Sequence, residues 1–531
     1  MKKSRNWLQR GYRLLKKRGL RICILRSLEK LCYTKDIVNN INKKNYTLGE
    51  IEDNCTIKVS IVVPVYNTPI RYLQEMIDSV LNQTYANIEL CLFNGGSNKQ
   101  EVDDIIKQYQ NQDSRIIYRV DSRNYGISGN TNRAIEMATG DYIGLLDHDD
   151  ILAINAVEEC VKAVIFKNAD VIYSDEDKVT EDGNCFIEPH IKPDWSPDTL
   201  KSHNYICHFL VFKTSLLKQV GMLRSCFDGS QDYDFIIRLT RNARVIYHIP
   251  LILYHWRISG QSTAGSMEVK GYAIEAGKRV LEQAIRDDNL KYEVSYGVCV
   301  GTYKLRAKLN DEPAVTIVVI GRWKNKGQLI KSYKKLCINT SYAKYKVLYI
   351  NQESLTVPII LEEITVINMW NKTFYEMFLE AMNRVDTEYV IIKNDGLNIL
   401  TDEWCIELVG QAQEKYVAIV APKLMKNRRS VYSFGMSIIN KRIKHNFQGY
   451  HKEFYGYMGR NTIAQNVEGV SQQLFLIKKS SWNASKDSRL KFENKIGMME
   501  ICSVIRSHGY FIKVIPNEIG IVNKNVRDKD E

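Results

Sequence analysis

One pattern is written twice in this chain. The run "VSIVVPVYN" (Val59–Asn67) returns as "VTIVVIGRW" (Val315–Trp323). Each is rich in β-branched residues and closes on a turn signal, which predicts a buried strand. "IELCLF" (Ile88–Phe93) is answered by "YKVLYIN" (Tyr345–Asn351), and "NTNRAIEMATGDYIGLLDHDD" by "FLEAMNRVDTEYVIIKNDG". Near the two ends, "RLTRNARVIYHIP" (Arg238–Pro250) aligns without gaps on "VIRSHGYFIKVIP" (Val504–Pro516). A repeat of that length means two domains on one plan, and 531 residues exceed one ordinary core in any case.

Between the strands the periodicity changes to helical. "TPIRYLQEMIDSVLNQTY" sets Ile70, Leu73, Ile77, Val80 and Leu81 on one face, and further helices are expected near Glu101–Gln110 and over "ISGNTNRAIEMA". Alternating strand and helix predicts an α/β fold with a mainly parallel sheet covered on both faces. The expected organisation is an N-terminal arm over 1–52, a first α/β domain over 53–263, a helical connector over 264–312 and a second α/β domain over 313–531. An amphipathic helix near Glu268–Asp287 and the break at Pro313 mark the junction.

The net charge of +13 is concentrated at the start. Residues Met1–Lys30 hold eleven lysines and arginines against Glu29 alone, so the remaining body is close to neutral. Trp7, Leu8, Leu14, Leu15, Ile22, Leu25 and Leu28 recur between these cations at roughly helical spacing. Such a helix suits an anionic membrane surface; the alternative is a helix packed on the body with a solvated basic face. Nucleic acid is not expected as a partner, because no basic-aromatic pattern recurs in the body. No run reaches the ~18 uncharged apolar residues needed to span a bilayer, and Arg26 cuts short the only leader-like stretch. Twelve cysteines without a C-x-x-C pair argue against a zinc site or a disulfide framework. The expected location is the cytoplasm, peripheral on the inner face of the membrane.

"YIGLLDHDD" (Tyr142–Asp150) drives an apolar strand into three carboxylates and a histidine. If the strand end stays extended, Asp147 and Asp149 share a side and His148 faces away. Two such carboxylates repel unless a cation lies between them, and Mg²⁺ or Mn²⁺ is usually held by one or two carboxylates plus substrate phosphates. An acidic surface turn is the alternative. Farther on, "GSQDYDFIIRL" (Gly229–Leu239) puts Asp232 and Asp234 at a helix start, where aspartate also serves the helix dipole. His255 in "YHWR" is open between a metal ligand and a core histidine.

Taken in order, "SIVVPVYN", "NYGISGNTNRA", "GDYIGLLDHDD", "GSQDYDFIIRL" and "YHWR" resemble a family 2 glycosyltransferase of GT-A fold, over roughly Lys58 to Thr263. "YSDEDK", "KPDWSPDTL" and "YICHFLVFK" are similar to bacterial members that build surface polysaccharides, rhamnosyltransferase-like ones among them. The resemblance implies that Asp147 and Asp149 hold a divalent ion, Mn²⁺ or Mg²⁺, with His255 completing the site. It implies that Asp232 is the general base of an inverting displacement. It also implies a nucleotide-sugar pocket of Pro64, Tyr66, Asn67, Asn94, Asn124, Gly126, Asn132, Asp147 and His148, with Asp175, Trp195, Trp256 and Asp234 near the sugar or acceptor. The implied donor is a UDP- or dTDP-sugar, and the implied acceptor a lipid-linked or polysaccharide glycan. The loop "LFNGGSN" departs from the family pattern, since Asn94 and Gly95 stand where relatives carry two acids.

The second half lacks these groups. Lys393 is expected at the position of Asp147, and Met498 aligns with Asp232, so a non-catalytic domain is expected there. Two other readings compete. A glycan-binding scaffold is disfavoured by the joint presence of Asp147, Asp149, Asp232 and His255. A sugar nucleotidyltransferase would want a Gly-rich basic loop after the first strand, which "PVYNTPI" does not offer.

Overall fold

The computed structural model describes residues 46–258, 267–309, 311–353, 364–486 and 497–522. The basic arm lies outside the described residues. Two compact units emerge. One comprises the described residues through Ala284 apart from a short insert; the other takes that insert, Pro197–Ser202, together with the chain from Ile285 onward. The sequence had suggested one continuous block over 53–263.

In the first unit, β1 (Val59–Val65), β2 (Ile88–Gly95), β3 (Ile116–Asp121) and β4 (Tyr142–Leu145) run parallel, with β1 flanked by β2 and β4. The sheet continues through β5 (Ile151–Leu152), β6 (Val171–Val179), β7 (Phe186–His190), β8 (Leu210–Lys213) and β9 (Ile246–Arg257) in the order β3-β2-β1-β4-β8-β6-β9-β5, with β7 beside β6. Antiparallel β8 turns the parallel half into a mixed one. Every residue of β1 and β2 is buried, which is why those runs read as continuously apolar. The helix Ile70–Leu81 covers one face through Leu73, Met76, Ile77 and Val80, and its core also takes in Leu90, Leu92 and Leu146.

The second unit opens with the hairpin β10 (Tyr292–Tyr296) and β11 (Tyr303–Ala307). Its main sheet is built from β12 (Val315–Gly321), β13 (Tyr345–Asn351), β14 (Ile364–Asn368), β15 (Tyr389–Asn394), β16 (Leu397–Ile399) and β17 (Val417–Met425). To these are added β18 (Val431–Ser433), then β21 (Gln465–Asn466), β22 (Leu474–Lys478) and β23 (Phe511–Val522), while β19 (Met436–Ile439) and β20 (Arg442–His445) form a separate hairpin. The order β14-β13-β12-β15-β22-β17-β23-β16 repeats the first sheet strand for strand.

Register corrects one sequence alignment. Val59 pairs with Tyr142 and Val315 with Tyr389. Counting from those pairs, Asn394 stands where the first unit has Asp147, and Lys393 stands at the position of Leu146. The one-residue shift moves Lys393 to the other face of the strand.

Candidate active site

The acidic stretch after β4 does not stay extended. Asp150 N–H donates back to the Asp147 carbonyl at 3.3 Å, closing a turn over His148 and Asp149. The strand-end rule therefore fails here. His148 does not simply face away, since its Nδ1 lies 3.9 Å from Asp149 Oδ1. Asp147 is half exposed, at 50% of its side chain, while Asp149 is only 24% exposed. Burial pushes the Asp149 carboxyl up, as does the Asp147 charge, against the opposing pull of His148.

The third acid has a structural task. Asp150 is fully buried and accepts from the Tyr254 hydroxyl at 2.5 Å and from the Arg257 amide at 2.7 Å. Arg257 Nε in turn donates to the Asp149 carbonyl at 2.7 Å. The turn is thereby pinned to β9, and its two remaining carboxylates are held in place by the backbone.

Asp232 sits in the first turn of the helix Gln231–Asn242, with its Oδ2 accepting from Asn204 Nδ2 at 2.8 Å. Burial raises its pKa, Asp147 adds to that, and His208 opposes it. His208 lies close to Asp147 and acts on Asp232 through its charge. Its Nε2 lies 3.9 Å from Asp147 Oδ2, its Nδ1 is 3.3 Å from Glu176 Oε2, and its ring stacks on Tyr254 at 4.6 Å. Burial works against a charged imidazole, yet Cys207 and Glu176 hold the His208 pKa well above the ordinary histidine value. Glu176 is kept ionised despite burial by Lys192, His190 and His208. Lys192 Nζ donates to Glu176, to the Ile206 carbonyl at 2.7 Å and to the His208 carbonyl.

Several expected residues take other roles. His255 Nδ1 lies 2.6 Å from Asp177 Oδ1 with Phe186 against its ring, and no trio of His, Cys, Asp and Glu among the described residues is arranged to hold a metal ion. Asp234 is buried between Arg224 and Arg238. Asp175 is buried, accepting from the Lys192 amide at 2.7 Å and lying 2.9 Å from His248 Nε2. Asn132 exchanges two hydrogen bonds of 2.9 Å with the Leu223 backbone. Asn94 is buried: Oδ1 accepts from Ser97 N–H at 3.2 Å and Nδ2 donates to Tyr118 at 3.1 Å, so its amide shapes the loop from below. Asn124 Oδ1 accepts from the Gly126 amide at 2.9 Å at the start of the helix Gly126–Ile135, where Gly126 has φ +75°.

Of the rest, Pro64 is buried in β1 and Tyr66 is exposed just beyond it. Asn67 shares the loop by accepting from Asn98 N–H at 3.0 Å. Trp256 lies 6.0 Å from the His208 ring, and Trp195 is half-buried. Sequence reasoning passed over His208, Asn204 and Glu176. They occur in "HNYICHF" and "YSDEDK", strings that carried the resemblance without singling out these side chains; the sheet order places β6 between β8 and β9.

A divalent ion fits what remains. Among the described residues no side chain donates a hydrogen bond to Asp147 or Asp149, Asp149 is a partly buried anion next to a second one, and phosphate oxygens would complete the shell.

The family model of glycosyl transferase family 2 matches residues 60–221. A glycosyltransferase of Methanocaldococcus jannaschii is 32% identical over 206 residues, covering 38% of this chain and 70% of that protein. The chain belongs to glycosyl transferase family 2. The GT-A plan expected of a family 2 member agrees with the mixed, largely parallel first sheet. An uncharacterised protein of Sinorhizobium fredii, y4gI, is 31% identical over 474 residues, or 85% of this family 2 chain and 51% of that protein. The O-antigen biosynthesis protein RfbC of Myxococcus xanthus is 29% identical over 391 residues, 72% of this chain and 30% of that protein. This family 2 chain thus spans about half of the first of these two relatives and less than a third of the second. Asp232 and His255 lie beyond the matched segment. Among the described residues no helix is long and apolar enough to cross a membrane.

Proposed function

We propose that the first unit transfers a sugar from a nucleoside diphosphate donor, UDP- or dTDP-linked, to a hydroxyl of a growing bacterial surface glycan, with inversion. The observation that carries this reading is that Asp147 and Asp232, from a strand end and a distant helix, feel each other's charge and that of one imidazole, His208, whose Nε2 lies 3.9 Å from Asp147 Oδ2. Asp232 takes the proton of the acceptor hydroxyl; its raised pKa makes it a better base than an exposed aspartate. The acceptor oxygen then bonds to the anomeric carbon as the bond to the diphosphate breaks. One displacement needs one base and no covalent sugar–protein intermediate, unlike retaining hydrolysis.

Asp147 and Asp149 hold Mn²⁺ or Mg²⁺ together with the diphosphate. When bound, that ion neutralises charge on the departing group. Charged His208 adds a second positive centre on the same side, and Asn204 orients the Asp232 carboxylate. The acceptor class rests on the Myxococcus relative's name and on the resemblance noted in the sequence. The arm over 1–52 is assigned to peripheral contact with the inner face of the membrane.

Hydrolysis of nucleotide sugars by the purified protein, with Mn²⁺ and with chelator, tests this. Turnover is expected with the ion alone, and Asp232→Asn should lower kcat by about 10²-fold or more while nucleotide affinity holds. Metal-independent turnover would refute the carboxylate pair as the ion site. Absence of turnover with every donor, alongside retained glycan binding, would favour a scaffold.

A further inference from the structure

The second unit carries polar side chains where the first has core. Across three neighbouring strands the first unit sets Leu92, Val63 and Leu146 in one row, beneath Met76 of the covering helix. All four are at most 2% exposed. In the second unit the same row reads Tyr349, Val319 and Lys393, because Val319 pairs with both. The covering helices begin at equivalent residues, Ile70 and Lys326, so the seventh position changes from Met76 to Ser332 and the tenth from Ser79 to Lys335. Three apolar core residues have become lysine, tyrosine and serine in one place.

Val319, Ser332 and Lys393 line a small pocket that opens to solvent, together with Lys335, Asn339 and Asp395 among others. The Lys393 ammonium is buried, and its one hydrogen bond goes to the Asn394 carbonyl at 3.0 Å. Asp395, the only acid in the lining, accepts from Ser332 at 2.5 Å. Lys335 donates to Asn398 at 2.6 Å. The Tyr349 hydroxyl is buried beside Ser332 and Asp395. Two cations thus face one acid. Lys335 is exposed, but burying the Lys393 ammonium without a full counter-charge is costly, and burial depresses its pKa to about 8, which an anion beside it would reverse.

We propose that this pocket is a binding site for a single oxyanion, a carboxylate or a phosphate group, held by Lys393 and Lys335. It is separate from the candidate transfer chemistry and does not depend on it. An acidic sugar or a phosphorylated glycan would each present that group.

Calorimetric titration of the full chain with glucuronate and, separately, inorganic phosphate at constant ionic strength tests the idea. Saturable binding of either probe is expected, weakened at least tenfold by Lys393→Leu and by Lys335→Met. Lys393→Leu restores the residue type of Leu146, so it should fold, and an unchanged or raised melting temperature confirms that its lost binding is local. A preference for phosphate or for glucuronate identifies the source of the anion. No saturable binding of either probe, or equal binding by wild type and Lys393→Leu, overturns the proposal.

Discussion

His208 shows how a residue acquires meaning only from its neighbours. In the sequence it is one of nine histidines; in the structure Glu176 behind it and Asp147 before it fix its charge and its position. His255, singled out from its motif, has its Nδ1 on Asp177, a contact that orients the ring and leaves Nε2 outside that bond. The acids of "DHDD" were legible as a cluster, but their division of labour was not. A turn replaces the extended strand end, and Asp150 is consumed by Tyr254 and Arg257. Lys393 offers a measurable consequence of burial. Its pKa of about 8 in the folded state lies below that of an unfolded lysine, so between those values the unfolded chain binds more protons. Stability is therefore expected to rise from about pH 8 to about pH 10.4, by roughly 3 kcal/mol from this residue. Lys393→Leu should flatten that rise in chemical unfolding followed against pH. Lys423, likewise depressed to about 8, would leave a smaller residual slope.

At the scale of elements the strands were the most legible part. Continuous β-branched runs can be little else, and β1, β2, β12 and β13 fall where those runs do. Loop chemistry was harder to read, because an asparagine that binds a ligand looks the same as one that shapes a turn. Both units carry such a residue near the end of their second strand, Asn94 next to last in β2 and Asn351 last in β13. Asn351 accepts from Trp323 N–H at 3.0 Å and from Glu353 N–H at 3.2 Å, as Asn94 accepts from Ser97. Asn132 likewise belongs to the scaffold, tying the helix Gly126–Ile135 to the Leu223 backbone. Asn132→Ala should cost about 1–3 kcal/mol in urea unfolding, since it strands one buried donor and one acceptor. Nucleotide affinity of the folded fraction should be unchanged; a selective loss of that affinity would return Asn132 to the pocket.

At the scale of the whole molecule, the repeat was visible as paired strings, and the matched strand orders give it physical form. What the strings could not give was register, and one residue of slip decided whether Lys393 stood for Asp147 or for Leu146. The basic arm is the part of the chain proposed to meet a membrane. Removing residues 1–45 should abolish most sedimentation with anionic phospholipid vesicles at low salt, and raising salt toward 0.5 M should do the same to the intact chain. Equal sedimentation with and without those residues would count against the arm as a membrane contact.

The short insert Pro197–Ser202 has a consequence of its own. Asp198 in it is buried against Lys513 at 2.7 Å and bonded to Asn466, both more than two hundred positions downstream. A chain still emerging from the ribosome must therefore wait for its last strand before that carboxylate finds its counter-charge. No single cut of the chain separates the two units, and a gene encoding the first alone would leave the Asp198 carboxylate without its counter-charge.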